Sequence, residues 1–326
     1  MLTIDGGQFE GGGQIVRMAV SLSALTGTPV RITRVRARRD TPGLAAQHVA
    51  AIRAVSSFCD PQTTGVSVGS SVLTFIPSSL RRSESIIDVG TAGSIPLVLQ
   101  AWLPVALKKG GSITIRGGTE VRHSPTIDYL ERVFLPPLRT HGARVKISIE
   151  QRGYYPQGGG VVRVTAEPSE PTPLHLRSEE AENGIISCSS NLPDHVTVRQ
   201  AESARKRLSD ILGIDPPQYL DRRSGLSTGS SCTAWRGMKG GIALGSRGLP
   251  AEEVGQKAAD MLIDEVKAGG MVDRYLADQM LLYLARYHGS YTVSELSLHT
   301  RTMQWLLSQF GYRVQISEGD VVEVSS

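Results

Sequence analysis

Residues 14–35, QIVRMAVSLSALTGTPVRITRV, carry the pattern on which the fold reading turns. Residues 14–25 are apolar at helical spacing and residues 29–35 are a β-branched run, so a helix followed by a strand is predicted. Pro42-Gly43-Leu44 reads as opening a second helix through Phe58, and residues 66–76 supply paired strands. The same order of helix, strand, loop, helix, strand, strand occurs twice more. In the second unit it is helix 92–107, strand 112–115, a helix from Ser124-Pro125 to near Gly142, and strands 145–149 and 161–164. In the third it is helix 275–287, strand 291–293, helix 299–310, and strands 312–316 and 321–324. Each unit ends in a strand pair, so each can form a small sheet with two helices on one face.

Residues 178–270 fit none of this. They hold a helix at 195–212, another opened by Pro250 and ending near Lys267, and short strands such as 185–189. The expected organisation is therefore α/β (α+β), with residues 1–177 plus 271–326 as a catalytic domain of three repeats and 178–270 as a small inserted α/β domain. With 326 residues the chain can bury a large core, and no apolar stretch is long enough to cross a bilayer. The N-terminus has no basic flank and apolar run, so no signal peptide is read and a cytoplasmic location is expected. Cys59, Cys188 and Cys232 are too few and too widely spaced for a disulfide framework or zinc site and are read as buried thiols. Lys and Arg exceed Asp and Glu by only four, but Arg31, Arg34, Arg36, Arg38 and Arg39 crowd one stretch, where a phosphate-rich ligand could sit; a solvated strand and loop is the plain alternative.

Three glycine-rich segments stand out: residues 5–14 (DGGQFEGGGQ), Gly117-Gly-Thr119 and residues 152–160 (RGYYPQGGG). The first directly precedes a predicted helix N-terminus, where backbone amides and the helix dipole favour an anion. None matches a P-loop or a dinucleotide fingerprint. Taken with residues 36–48 (RARRDTPGLAAQH), Gly93-Ser94, Leu99-Gln100 and residues 275–279 (YLADQ), they resemble the RNA 3'-terminal phosphate cyclase family over most of the chain, least across the insert.

That resemblance implies three βαβαββ-type units forming one large domain with an inserted α/β domain, and His299 as a covalent nucleophile. It implies that Gln100, Pro125, Tyr129, Tyr275, Leu276, Ala277, Asp278 and Gln279 line an ATP site, with Pro125 and Tyr129 flanking the adenine. Glu10 would hold Mg²⁺ or Mn²⁺, and Arg17, Arg39 and Gln47 would contact phosphates of ATP or of an RNA 3'-phosphate end. The chemistry is coherent: a neutral imidazole can attack the α-phosphorus of ATP, a carboxylate suits a hard cation, and guanidinium groups suit the leaving pyrophosphate. The AMP would pass to the RNA 3'-phosphate, and the adjacent 2'-hydroxyl would close a 2',3'-cyclic phosphate, a tethered step for which the sequence shows no dedicated base.

Arg38 is expected to be solvated, and His48 suits packing as well as chemistry. The charge in segment 120–124 (EVRHS) departs from the family pattern and puts the adenine side of the pocket in question. Three other readings compete: a non-catalytic cyclase-like scaffold in ribosome assembly, an enolpyruvyl transferase and a simple RNA-binding module. Homodimer formation is left open.

Overall fold

The chain begins with a strand rather than a helix. In the computed structural model, which describes residues 1–177, 182–319 and 321–326, the first set of elements is β1 (Leu2–Asp5), α1 (Gly13–Thr26), β2 (Val30–Thr33), α2 (Ala46–Ser56), β3 (Gln62–Thr64) and β4 (Leu73–Ile76). The second is β5 (Ser83–Asp88), α3 (Ile95–Lys109), β6 (Gly111–Gly117), α4 (Ile127–Tyr129), a π-turn (Leu130–Phe134), α5 (Leu135–Thr140), β7 (Val145–Gln151) and β8 (Gly160–Ala166). After β9 (Leu174–His175) the chain builds β10 (Asn183–Ser190), α6 (His195–Leu212), β11 (Gln218–Arg223), β12 (Gly229–Arg236), β13 (Lys239–Leu244) and α7 (Ala251–Lys267). It then returns through α8 (Arg274–Tyr287), β14 (Gly289–Val293), α9 (Leu298–Gln309), β15 (Gln315–Ser317) and β16 (Val322–Ser325) to complete the sheet that β9 opened. The predicted insert start, Ser178, lies outside the described residues.

The sheets run β1-β2-β4-β3, β5-β6-β8-β7 and β9-β14-β16-β15, the first two strands of each parallel and the remaining neighbours antiparallel. The fourth sheet, β11-β10-β12-β13, has a different order. The mixed α/β character is therefore as expected, but the opening strands β1, β5 and β9 correct the element order read from the sequence. They are short, and β1 and β9 have too few residues to show an alternation.

Three predicted helices also start later than expected, one of them α3, which begins at Ile95 rather than residue 92 because Ser94 is its cap. Gly43 has φ +86° and its Cα would bring a Cβ within 2.3 Å of Gly69 O, so Pro42-Gly43-Leu44 is a turn and α2 begins at Ala46. In the second set Thr126, not Ser124, caps the helix, accepting from Tyr129 N at 3.1 Å. Pro136 and Pro137 cannot donate to the carbonyls one turn back, and the turn before them is a π-turn closed by Leu135 N on Leu130 O.

The three similar sheets and helices α1, α3, α8 and α9 share one core, with Ile15, Trp102, Leu281 and Leu306 fully buried. A second core lies between one face of the fourth sheet (Ile185, Cys232, Ala234) and helices α6 and α7 (Leu208, Ala258, Leu262). The opposite face of that sheet is not left to solvent. Trp235 joins the main core, Thr233 Oγ1 lies 2.9 Å from Thr126 Oγ1, and Tyr129 packs against Gly240, where a Cβ would stand 2.7 Å from the ring. All three cysteines are buried free thiols. Among the described residues no helix is long and apolar enough to cross a membrane.

Candidate active site

Side chains from the N-terminal parts of α1, α8 and α9 meet at one junction. Each start has a local cause. Ser297 caps α9, its Oγ accepting from Thr300 N at 3.1 Å, and His299 therefore sits in the exposed first turn. Glycines let the loop before α1 fold back on the helix: a Cβ on Gly12 would stand 2.5 Å from Glu10 Oε2, and one on Gly13 would lie 1.9 Å from His48 Nε2. The loop is braced from outside by the Phe9 ring, edge-on to Trp305 on α9 at 6.2 Å, and by Arg38, which donates from Nη1 to Phe9 O at 2.7 Å. Arg38 is thus exposed yet structural.

One chain of side-chain contacts runs through the junction. His299 Nδ1 is 3.2 Å from Gln14 Oε1 and 3.2 Å from Glu10 Oε2. Gln14 Nε2 lies 2.6 Å from Asp278 Oδ2. The Glu10 carboxylate beside Nδ1 is an acceptor, so Nδ1 carries the proton and the Nε2 lone pair is left free on a side chain that is 47% exposed. Burial, then Arg17 and Arg39, hold the imidazole below its ordinary pKa. The ring is neutral near pH 7.

Glu10 lies between His299 and the Arg39 guanidinium, and both its carboxylate oxygens are buried without a hydrogen-bond partner. Unsatisfied anionic oxygens of this kind suit a cation. Among the described residues no group of three or more His, Cys, Asp or Glu side chains gathers as a metal site. Arg17 is the converse: 7% exposed, its Nε buried without a hydrogen-bond partner, and its pKa lowered to about 10 by burial against the pull of Asp278. Burial likewise raises Asp278 to about 8, with Arg17 opposing and Asp273 adding to it. His48 Nδ1 accepts from Ala45 N at 3.0 Å, and burial plus Arg17 and Arg36 lower it to about 3, so this residue is a neutral helix cap.

Beside Gln14 a narrow crevice of about 10 Å³, room for roughly one water, is lined by Met18, Gln100, Phe134, Asp278, Gln279 and Tyr283. Gln100, Asp278 and Gln279 are thus brought together as the sequence led us to expect, with Tyr275, 44% exposed, on the preceding turn of α8. Leu276 and Ala277 are buried in the core. Tyr129 is 2% exposed, and its hydroxyl donates to the Asp273 carboxylate at 2.8 and 2.9 Å, so it stands behind the start of α8 rather than on the crevice wall. Pro125 is half-buried in the loop before it. Gln47 is turned to α3, where its Oε1 accepts from Ser94 N at 3.0 Å. Of the arginine cluster, Arg34 pairs with Asp5 and Arg36 donates to Gly43 O, while Arg39 reaches Glu10.

Sequence reasoning gave no role to Gln14, which was visible only as the end of a glycine-rich motif. It also left the charge of segment 120–124 unexplained. Glu120 is buried and ion-paired with Arg152, whose guanidinium also binds Asp128 and Asp221, while Arg122 and His123 are exposed.

Residues 8–316 match the family model described as RNA 3'-terminal phosphate cyclase. The chain is 44% identical over 333 residues to the RNA 3'-terminal phosphate cyclase of Methanosarcina barkeri, covering 100% of this chain and 99% of that one. It is 43% identical to the protein of the same description from Thermococcus onnurineus (99% and 97% covered) and 41% identical to that from Archaeoglobus fulgidus (99% of each).

Proposed function

Because this chain belongs to the RNA 3'-terminal phosphate cyclase family, we propose that it is an ATP-dependent enzyme that converts an RNA 3'-phosphate into a 2',3'-cyclic phosphate through a covalent histidine–AMP intermediate. The observation that carries this is His299, its Nδ1 beside Gln14 and Glu10 and its Nε2 free at the junction of α1 and α9.

Nε2 attacks the α-phosphorus of ATP, the bond to the β-phosphate oxygen breaks, and pyrophosphate leaves. The imidazole proton stays on Nδ1, where Glu10 and Gln14 stabilise the positive charge of the phosphoramidate ring. An RNA 3'-phosphate oxygen then attacks the same phosphorus and releases His299. Finally the 2'-hydroxyl attacks the terminal RNA phosphorus and expels AMP; the two groups are already neighbours, so tethering replaces much of what a dedicated base would contribute. The need for a 2'-hydroxyl restricts cyclisation to RNA ends.

The Arg17 guanidinium faces the phosphates, Arg39 joins it once released from Glu10, and Gln47 supports the start of α3 through Ser94. Gln100, Tyr275, Asp278 and Gln279 meet the nucleoside, with Pro125 beside them and the buried Tyr129, Leu276 and Ala277 supporting the start of α8 from behind. The Glu10 carboxylate suits Mg²⁺ or Mn²⁺ in place of its Arg39 partner, and the ion would supply positive charge against the triphosphate. The same reading takes residues 1–177 and 271–326 as the catalytic body, 178–270 as an inserted domain and the cytoplasm as the place of action.

Incubation with α-³²P-ATP and Mg²⁺ or Mn²⁺ tests this. The intact protein takes an acid-labile label that survives denaturing electrophoresis, and His299→Ala takes none. A folded, intact protein that stays unlabelled with or without 3'-phosphorylated RNA removes the central step.

A further inference from the structure

Asp273 lies where three parts of the chain meet. It is fully buried, and its Oδ1 accepts from Tyr275 N at 2.9 Å and Leu276 N at 2.6 Å, capping α8. Its Oδ2 accepts from Gly240 N at 2.9 Å, at the start of β13, and the Tyr129 hydroxyl donates to the same carboxylate. Asp273 N in turn donates to Met238 O at 3.2 Å, in the turn between β12 and β13. Thr126 and Thr233 add a hydroxyl pair between the same partners at 2.9 Å. One buried carboxylate therefore joins the β12–β13 hairpin, segment 126–129 and the first turn of α8, the turn that carries Tyr275 and leads to Asp278 and Gln279.

We infer that Asp273 is a positioning residue for ATP, and that the β12–β13 hairpin sets the nucleotide end of the cleft from behind through it; this rests on the nucleotide site proposed above. The nearest cation on the hairpin is otherwise engaged, since Lys239 Nζ donates to Glu265 O and Gly269 O. The carboxylate is held by hydrogen-bond donors instead, and these are directional, so the start of α8 has little freedom to turn or slide while all of them are met.

ATP–Mg²⁺ binding to the full-length protein, measured by titration calorimetry with His299→Ala as the parent, separates placement from chemistry. Two substitutions act on the junction from opposite sides. Asp273→Asn keeps an acceptor for the α8 amides but turns an NH₂ toward the Gly240 N–H. Gly240→Ala puts a Cβ 2.7 Å from the Tyr129 ring. Each weakens ATP binding by about tenfold, the equivalent of leaving one buried hydrogen-bonding group unpaired, while affinity for a 3'-phosphorylated RNA is kept. Arg207→Ala, which removes a surface pair with Asp260 on the outer helices, leaves ATP affinity unchanged.

If both junction variants lower Tm yet bind ATP as the parent does, Asp273 is only a structural cap and the inference is overturned. A parent that binds no ATP at all overturns it together with the nucleotide site. A parent that binds ATP while the protein with His299 intact takes no label removes the adenylation step alone and leaves the inference standing.

Discussion

Replacing Arg152 with Met should be among the most damaging single changes in this protein, and its damage should grow with pH. The Arg152 side chain is 1% exposed and lies 2.6 Å from Glu120 Oε1, 2.5 Å from Asp128 Oδ2 and 3.0 Å from Asp221 Oδ2. Glu120 is 0% exposed and Asp128 5%, so neither can turn to water once the guanidinium is gone. Stranding buried charge in this way costs about 3–5 kcal/mol, or roughly 4–7 °C in Tm for a chain of this size. Burial pushes the Glu120 pKa up to about 7, with Arg152 pulling it down and Asp128 pushing it up. A folded-state value above the ordinary carboxylate range means that its contribution to stability is present at low pH and is lost as pH rises through the folded value. Without Arg152 the folded value rises further and that loss deepens. Thermal unfolding of both proteins at about pH 5 and about pH 8 checks this: the Tm deficit of Arg152→Met should be clearly larger at the higher pH. A deficit under about 1 kcal/mol, or one equal at the two pH values, refutes the reasoning.

Arg17→Met should have the opposite sign on stability. It removes a desolvated cation with an orphaned Nε from beside a carboxyl group already raised to about 8, so differential scanning should find Tm unchanged or raised by about 2 °C while enzyme–AMP formation collapses. A Tm loss of several degrees would show that Arg17 is a structural ion. Gly12→Ala needs no change of backbone, since φ is −96°, but its Cβ would displace the Glu10 carboxylate; labelling should fall about tenfold or more with Tm nearly unaltered, and normal labelling would place Glu10 outside the reaction. Gln14→Met takes one acceptor from His299 Nδ1 and releases the ring. Single-turnover labelling should slow by about 10–100-fold at saturating ATP, whereas an effect confined to ATP affinity would refute the orienting role.

Much of the fold was legible because its signals are local. Helical periodicity at residues 14–25 and 275–287, Pro250 before a helix, and strand pairs near 145–164 follow from spacing along the chain, and each corresponds to an observed element. The opening strands were not legible: β1 and β9 are shorter than any alternation that could announce them, and they exist because β2 and β14 offer them a parallel edge. The motifs likewise singled out Glu10, Asp278 and His299 as chemistry-bearing side chains. They could not say that Gln14 bridges Asp278 and His299 across 264 and 285 residues, nor which arginines of the 31–39 cluster are held by partners. They also could not show that Tyr129 is spent on Asp273, or that Glu120 pairs with the buried Arg152. Spacing and motif act within a few residues of the chain. A buried hydrogen bond or ion pair depends on which distant groups are desolvated together, and that exists only once the sheets and helices have closed around them.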